Sequence, residues 1–223
     1  MDRPLIPNGF QNEKPYCSAL ANSKRKIGWT FAGIVVGINY NITDYKSIQH
    51  FMFNQLLTTI PHEILSVPAK TVLLEAGKTA SKVFLVRTGC IRQWYNADGK
   101  DITCQFFFEG SPVACIDSLI NAVPSEYTLE TVLPSEVYVI KGEDIKAVIQ
   151  SHPERMGEMV KFSIERMVCY SKLFLSRIKE TPQERYESLV REHPEIVAQI
   201  PQHYIASYLG ITPVSLSRIR NRK

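Results

Sequence analysis

Residues 201–220 read PQHYIASYLGITPVSLSRIR, and this stretch decides the architecture of the C-terminal end. Ile205, Leu209, Ile211, Leu216 and Ile219 recur at helical spacing on either side of Gly210, so the segment reads as helix, turn, helix. Small Ala206 lets the two helices approach closely, and Gly210 accepts the left-handed conformation that the turn requires. Thr212 is placed to cap the second helix and Pro213 to open it. The outward face of that helix offers Ser215, Ser217 and Arg218, with Arg220, Arg222 and Lys223 trailing. A plain helical hairpin with a basic tail fits the same pattern, but the charge speaks for more. No Asp or Glu occurs in residues 200–223, while Arg218, Arg220, Arg222 and Lys223 equal the whole formal net charge of +4. An acid-free basic end is suited to face a polyanion.

Upstream of this stretch, Thr181-Pro182-Gln183-Glu184 has the form of a capping box with Pro at the first helical position, so a new helix starts there. His193-Pro194 starts another short helix that ends before Pro201. Before them, Met156, Val160, Ser163, Met167, Tyr170 and Phe174 alternate at spacings of four and three, which puts them on one stripe of a helix over 153–178. Such a seam calls for a partner helix; packing on the chain's own β region is the alternative.

Residues 70–140 change character. Short runs rich in β-branched and aromatic residues predict strands over 71–74, 83–86, 90–95, 102–108, 127–132 and 136–140, with Gly77, Gly89, Gly99 and Gly110 between them. Asp98-Gly99 predicts a tight hairpin flanked by Trp94 and Ile102. A β-sandwich of another function fits the same spacing. Residues 1–45 have mixed polarity and no sustained period, and read as a poorly structured extension. Their most apolar run, 27–38, contains Gly28, Gly33 and Gly37 and falls well short of the ~20 residues that a bilayer requires. It follows Lys24, Arg25 and Lys26 as a signal peptide would, but Asn39-Tyr40-Asn41 supplies no small-residue cleavage site. Five cysteines, Cys17, Cys90, Cys104, Cys115 and Cys169, are widely spaced and form no C-x-x-C pair, which suits free thiols in a reducing cytoplasm rather than zinc or an iron–sulfur cluster.

From about residue 53 to 223 the chain resembles the Crp/Fnr family of transcription regulators. Glu75-Ala76-Gly77, the run 84–89 ending in Gly89, and Phe107-Phe108-Glu109-Gly110 are similar to the glycine turns of a cyclic-nucleotide-binding β-roll, and a long helix and a helix-turn-helix follow in the family's order. The stretches 91–95 and 204–213 resemble the branch found in Bacteroidetes.

The resemblance implies an α+β chain: a double-stranded β-helix (jelly-roll-like) sensor over 46–152, a dimerisation helix over 153–179 and a winged-helix/helix-turn-helix domain over 180–223. It implies a cytoplasmic homodimer that binds double-stranded DNA through Gln202, Thr212, Ser215, Ser217, Arg218, Arg220, Arg222 and Lys223, with Arg218 reading guanine and RNA polymerase as a further partner. Pro213 and Val214 stand where other members carry base-reading polar residues.

The effector pocket falls on Ala114, Cys115, Glu126, Tyr127, Tyr170 and Ser171. Cyclic-AMP binders of the family carry Gly-Glu and Arg-Ser or Arg-Thr at the places of Ala114-Cys115 and Glu126-Tyr127. An acid in place of the arginine would repel the phosphate, so an effector other than cyclic AMP is expected. No metal, cofactor or catalytic set is expected, since His50, His62, His152, His193 and His203 form no ligand pattern in the β region and the cupin-like enzyme reading lacks support. A β-roll small-molecule module with a protein-binding helical C-terminus is the competing reading.

Overall fold

In the computed structural model, residues 27–31, 34–38 and 57–221 are described. Of the expected DNA-contacting residues, Arg222 and Lys223 lie outside them. The chain divides into two compact units, Met1–Asp44 and Tyr45–Lys223. In the first, β1 (Ile27–Phe31) pairs antiparallel with β2 (Ile34–Ile38), Phe31 opposite Ile34. The run is dense in Ile, Val, Phe and Trp, residues that favour extended backbone once two segments meet. The rest of the poorly structured extension expected over residues 1–45 lies outside the described residues.

The second unit begins with two four-stranded antiparallel sheets. One is ordered β3 (Glu63–Val67), β10 (Ser135–Lys141), β5 (Lys82–Thr88), β8 (Pro112–Val113), and the other β4 (Val72–Leu74), β9 (Thr128–Thr131), β6 (Ile91–Ala97), β7 (Lys100–Phe107). Phe84, Val86, Val113, Val137 and Val139 of the first face Ile91, Phe107 and Leu129 of the second in one buried core. Period-two alternation places them there, since every second residue of a strand points inward.

At the tip of β6 and β7, Asp98 and Gly99 both have positive φ (51° and 81°), the two-residue turn that right-twisted strands favour. Tyr95 lies opposite Ile102 and Trp94 opposite Thr103, the register that the two-residue turn sets, and a bulge between Gln93 and Trp94 then shifts it so that Gln93 lies opposite Gln105. Three elements left no readable period: β3, whose residues are exposed or half-buried, the two-residue β8, and the six-residue helix α1 (Ile116–Asn121).

After β10 the chain is helical: α2 (Gly142–Ser151), a tight turn at Pro153–Arg155, then α3 (Met156–Lys179), α4 (Pro182–Glu192), α5 (Pro194–Gln199), α6 (Gln202–Leu209) and α7 (Pro213–Asn221). The capping box at Thr181 is formed in both directions: Thr181 Oγ1 accepts from Glu184 N at 3.3 Å, and Thr181 N donates to Glu184 Oε2 at 2.7 Å. No strand follows Lys141 among the described residues, so the C-terminal end is built there of helices alone.

A second core joins the helices to the outer face of the β4–β9–β6–β7 sheet. Cys90, Phe106 and Val132 pack there with Leu189, Ile196, Ile200, Ile205, Ala206, Leu209 and Leu216.

Gly89 is the turn between β5 and β6, with φ of 91°, and a Cβ there would run into Ser135 Oγ and the carbonyl oxygen of Pro134. Gly89→Ala is expected to cost ~2–4 kcal/mol of unfolding free energy. Gly77→Ala, also at positive φ but with open space around it, should cost nearer ~1 kcal/mol in the same urea titration.

Candidate nucleic-acid interface and sensor site

The helix-turn-helix is built as the side chains require. Gly210 takes φ of 70° and ends α6, and Ile211 N returns to the carbonyl of Ala206 at 3.0 Å. Ala206 and Leu216 have no exposed surface, so α6 and α7 meet closely through them. Thr212 Oγ1 accepts from Ser215 N at 3.1 Å and caps α7. The Ser215 hydroxyl lies 3.0 Å from the same oxygen, so this half-buried serine is already engaged at the cap. Gln202, Val214, Ser217, Arg218 and Arg220 are exposed, and among the described residues no acid pairs with Arg218 or Arg220.

Two guanidiniums secure the end of α6, where the last carbonyls of a helix lack internal partners. Arg177 of α3 donates to the carbonyl of Tyr208 at 2.9 Å, and Arg185 of α4 to that of Leu209 at 3.0 Å. The start of α6 rests on the sheet through a buried cation. Arg92, 2% exposed, donates to Glu130 Oε2 at 2.6 and 3.0 Å and to Asp101 Oδ2 at 3.1 Å. Its guanidinium lies 4.0 Å from the ring centroid of Tyr204 and 4.8 Å from that of Trp94. Beside it, the Ser207 hydroxyl donates to the Asp101 carbonyl at 2.7 Å and accepts from Thr103 N at 2.9 Å.

These contacts were not legible as a site. A charged residue beside an apolar one in a predicted strand, Arg92 after Ile91 and Glu130 after Leu129, was the available signal, because a buried charge demands a partner.

On α3 no residue is buried. Met156 (46%), Val160 (49%), Met167 (63%), Tyr170 (47%) and Phe174 (65%) are all exposed in the single chain, as is Ser163. The stripe therefore does not pack on the chain's own β region, which was the alternative. Arg166, beside the stripe and one turn before Tyr170, donates to Gln105 Oε1 at 3.4 Å and lies 5.8 Å from the Phe107 ring centroid.

Of the residues assigned to an effector pocket, Cys115 and Tyr127 join the core between the sheets, and Ala114 is half-buried beside them. Burial raises the Cys115 thiol, only partly offset by a hydrogen bond with Ser125. Burial likewise raises Tyr127, whose ring meets that of Tyr95 edge-on at 6.4 Å. Glu126 is exposed to solvent. Tyr170 and Ser171 lie on the exposed side of α3, where the Tyr170 hydroxyl accepts from Arg166 at 2.8 Å and the Ser171 hydroxyl donates to the Met167 carbonyl at 2.9 Å. Cys90 is pushed up to about 12 by burial and is a neutral thiol at physiological pH. Among the described residues no group of three or more His, Cys, Asp or Glu is placed to hold a metal, and no helix is long and apolar enough to cross a membrane.

Residues 64–152 match the cyclic nucleotide-binding domain family. No curated relative is found by sequence comparison. Among solved structures, FixK2 from Bradyrhizobium japonicum is similar with a TM-score of 0.63 at 16% identity, over 72% of this chain and 83% of that one. The c-di-GMP responsive global regulator CLP of Xanthomonas campestris gives 0.58 at 15% identity, over 76% and 88%. A transcriptional regulator assigned to the crp/fnr family from Eubacterium rectale gives 0.58 at 18%, over 77% and 80%. The chain thus has a mixed α+β fold in which a β-sandwich of the cyclic nucleotide-binding type precedes C-terminal helices, the architecture of the Crp/Fnr regulators.

Proposed function

We propose that this chain is a cytoplasmic, homodimeric transcription regulator that binds double-stranded DNA through α7 and contacts RNA polymerase. One observation carries the reading: a capped helix at the end of a helix-turn-helix presents Ser217, Arg218 and Arg220 to solvent, with its arginines unpaired by acids among the described residues. Such a helix enters a major groove, where an arginine reads guanine bidentately, and Thr212 and Gln202 lie at helix starts where phosphates bind. Two-fold pairing through the exposed stripe of α3 supplies the second reading helix and covers apolar surface that a single chain leaves in water. The likeness of residues 91–95 and 204–213 to the Bacteroidetes branch belongs to this reading.

The sensor takes a small molecule other than cyclic AMP, and the pocket is formed by Ala114, Cys115, Glu126 and Tyr127 with Tyr170 and Ser171 of the dimer helix. A cyclic phosphate needs a free guanidinium. Arg92 is occupied by Glu130 and Asp101, and Arg87 pairs with Glu136 at 3.3 Å.

Sedimentation of the Met167→Glu, Phe174→Glu double variant is expected to find monomers; dimers would sink the seam. Calorimetric titration with micromolar cyclic AMP should show no specific heat, and tight binding abolished by Glu126→Ala would overturn the sensor reading.

The function itself is tested by selecting DNA from a random pool. Arg218→Ala should then cost ~1–3 kcal/mol per half-site on the selected sequence and far less on unrelated DNA. Removing Arg222 and Lys223 should weaken both alike and flatten the salt dependence by about one unit per lost phosphate contact. A chain that selects no sequence and ignores salt would instead be a small-molecule module with a protein-binding C-terminus.

A further inference from the structure

In a two-stranded arrangement of half-sites, each reading helix must stand at a fixed distance from the other, so something must fix α7 relative to α3 and the sensor. The turn at Gly210 and the shared burial of Ala206, Leu209 and Leu216 already bind α7 to α6. The orientation of α7 is therefore set wherever α6 is held. Two side chains of α6 hold it to the sensor sheet by different chemistry.

Ser207 meets β7, the last strand in its sheet's order, whose outer backbone groups have no neighbouring strand among the described residues. By donating to the Asp101 carbonyl at 2.7 Å and accepting from Thr103 N at 2.9 Å, one hydroxyl supplies both partners that a further strand's peptide would supply. It fixes position along the edge to within one residue pair. Tyr204, one turn earlier, lays its ring on the Arg92 guanidinium at 4.0 Å. That cation is 2% exposed and held by Glu130, so the surface Tyr204 rests on is itself immobile. Val214 remains 61% exposed, and Ser217 and Arg218 are exposed, so the docking of α6 leaves the reading face open. The contact aims the helix and does not mask it.

We infer that Tyr204 and Ser207 are positioning residues for DNA reading: they clamp the helix-turn-helix to the edge of the sensor sheet and so set the spacing of the two reading helices in the dimer. This rests on the DNA-binding reading above. Loosely tethered heads would still grip single half-sites but would lose the gain of binding two at once, since that gain depends on geometry that fits both sites without reordering.

The test uses the full chain with Tyr204→Leu, Ser207→Ala and the double variant. Arg92 is left in place, because removing it would strand Glu130 as a buried unpaired charge. Binding is measured to the DNA selected by the unaltered chain and to the same duplex with one half-site scrambled. The double variant is expected to lose at least ~10-fold on the two-site duplex while staying within ~2-fold on the one-site duplex, and Tyr204→Phe, which keeps the ring, should behave as the unaltered chain. An equal loss on both duplexes, or no loss on either, overturns the inference.

Amide exchange gives a readout independent of DNA: the Thr103 amide should be protected in the unaltered chain and exchange faster in Ser207→Ala, together with the backbone of α6. If no DNA is selected, the functional reading fails, and the exchange experiment alone then decides the clamp. Unchanged exchange in Ser207→Ala would overturn it.

Discussion

A guanidinium removed from water must be matched where it lies, and Arg92 is matched from three directions. Glu130 supplies the opposite charge from the neighbouring strand β9, Asp101 a second carboxylate from β7, and the rings of Trp94 and Tyr204 offer their electron-rich faces. Breaking such a pair by removing one member leaves a buried charge alone, a cost of ~3–5 kcal/mol, so the partners are constrained to stay. Because one of them belongs to α6, the constraint reaches across from the β-sandwich to the helical end. The apolar core around Phe106, Val132 and Leu209 could tolerate some sliding, since hydrophobic contact has no direction. The ionic and hydrogen-bonded contacts beside it do not.

The outer and inner faces of the same sheet therefore do different work. Inward, Ile91, Phe107 and Leu129 form a dry interior against the other sheet, with Cys115 and Tyr127 at its border. Outward, Arg92, Thr103 and Glu130 are buried polar groups whose partners come partly from the helices. Strand β9 shows both in adjacent residues: Leu129 belongs to the interior and Glu130 to the salt bridge. A displacement of this strand by a change in the interior would be felt by Arg92 directly, one residue away.

Much of the fold was legible because its signals are local. Asp98-Gly99 specifies its turn by φ alone, Thr181 and Glu184 satisfy each other within one helical turn, and residues 201–220 carry their own wedge, turn and cap. The extent of α3 was legible from its period, and the structure adds that its stripe is not used within the chain. Less local elements escaped. The strands β3 and β8 derive their order from pairing with β10 and β5, and the apolar run in residues 27–38 from pairing with itself. Apart from Trp94, the partners of Arg92 escaped for the same reason: Asp101, Glu130 and Tyr204 lie from nine to over a hundred positions away in the chain, which no window of sequence spans.

The 24 residues of α3 without a buried side chain carry a further consequence. A helix of this length with Met167, Phe174 and Ile178 all more than 60% exposed gains its packing from a second molecule under the proposed pairing. Its stability then obeys mass action. The midpoint of thermal unfolding rises with protein concentration, and dilution uncovers an apolar stripe suited to aggregation or proteolysis. The number of intact molecules in a cell would fall faster than synthesis falls, which gives the level of such a protein a threshold of its own.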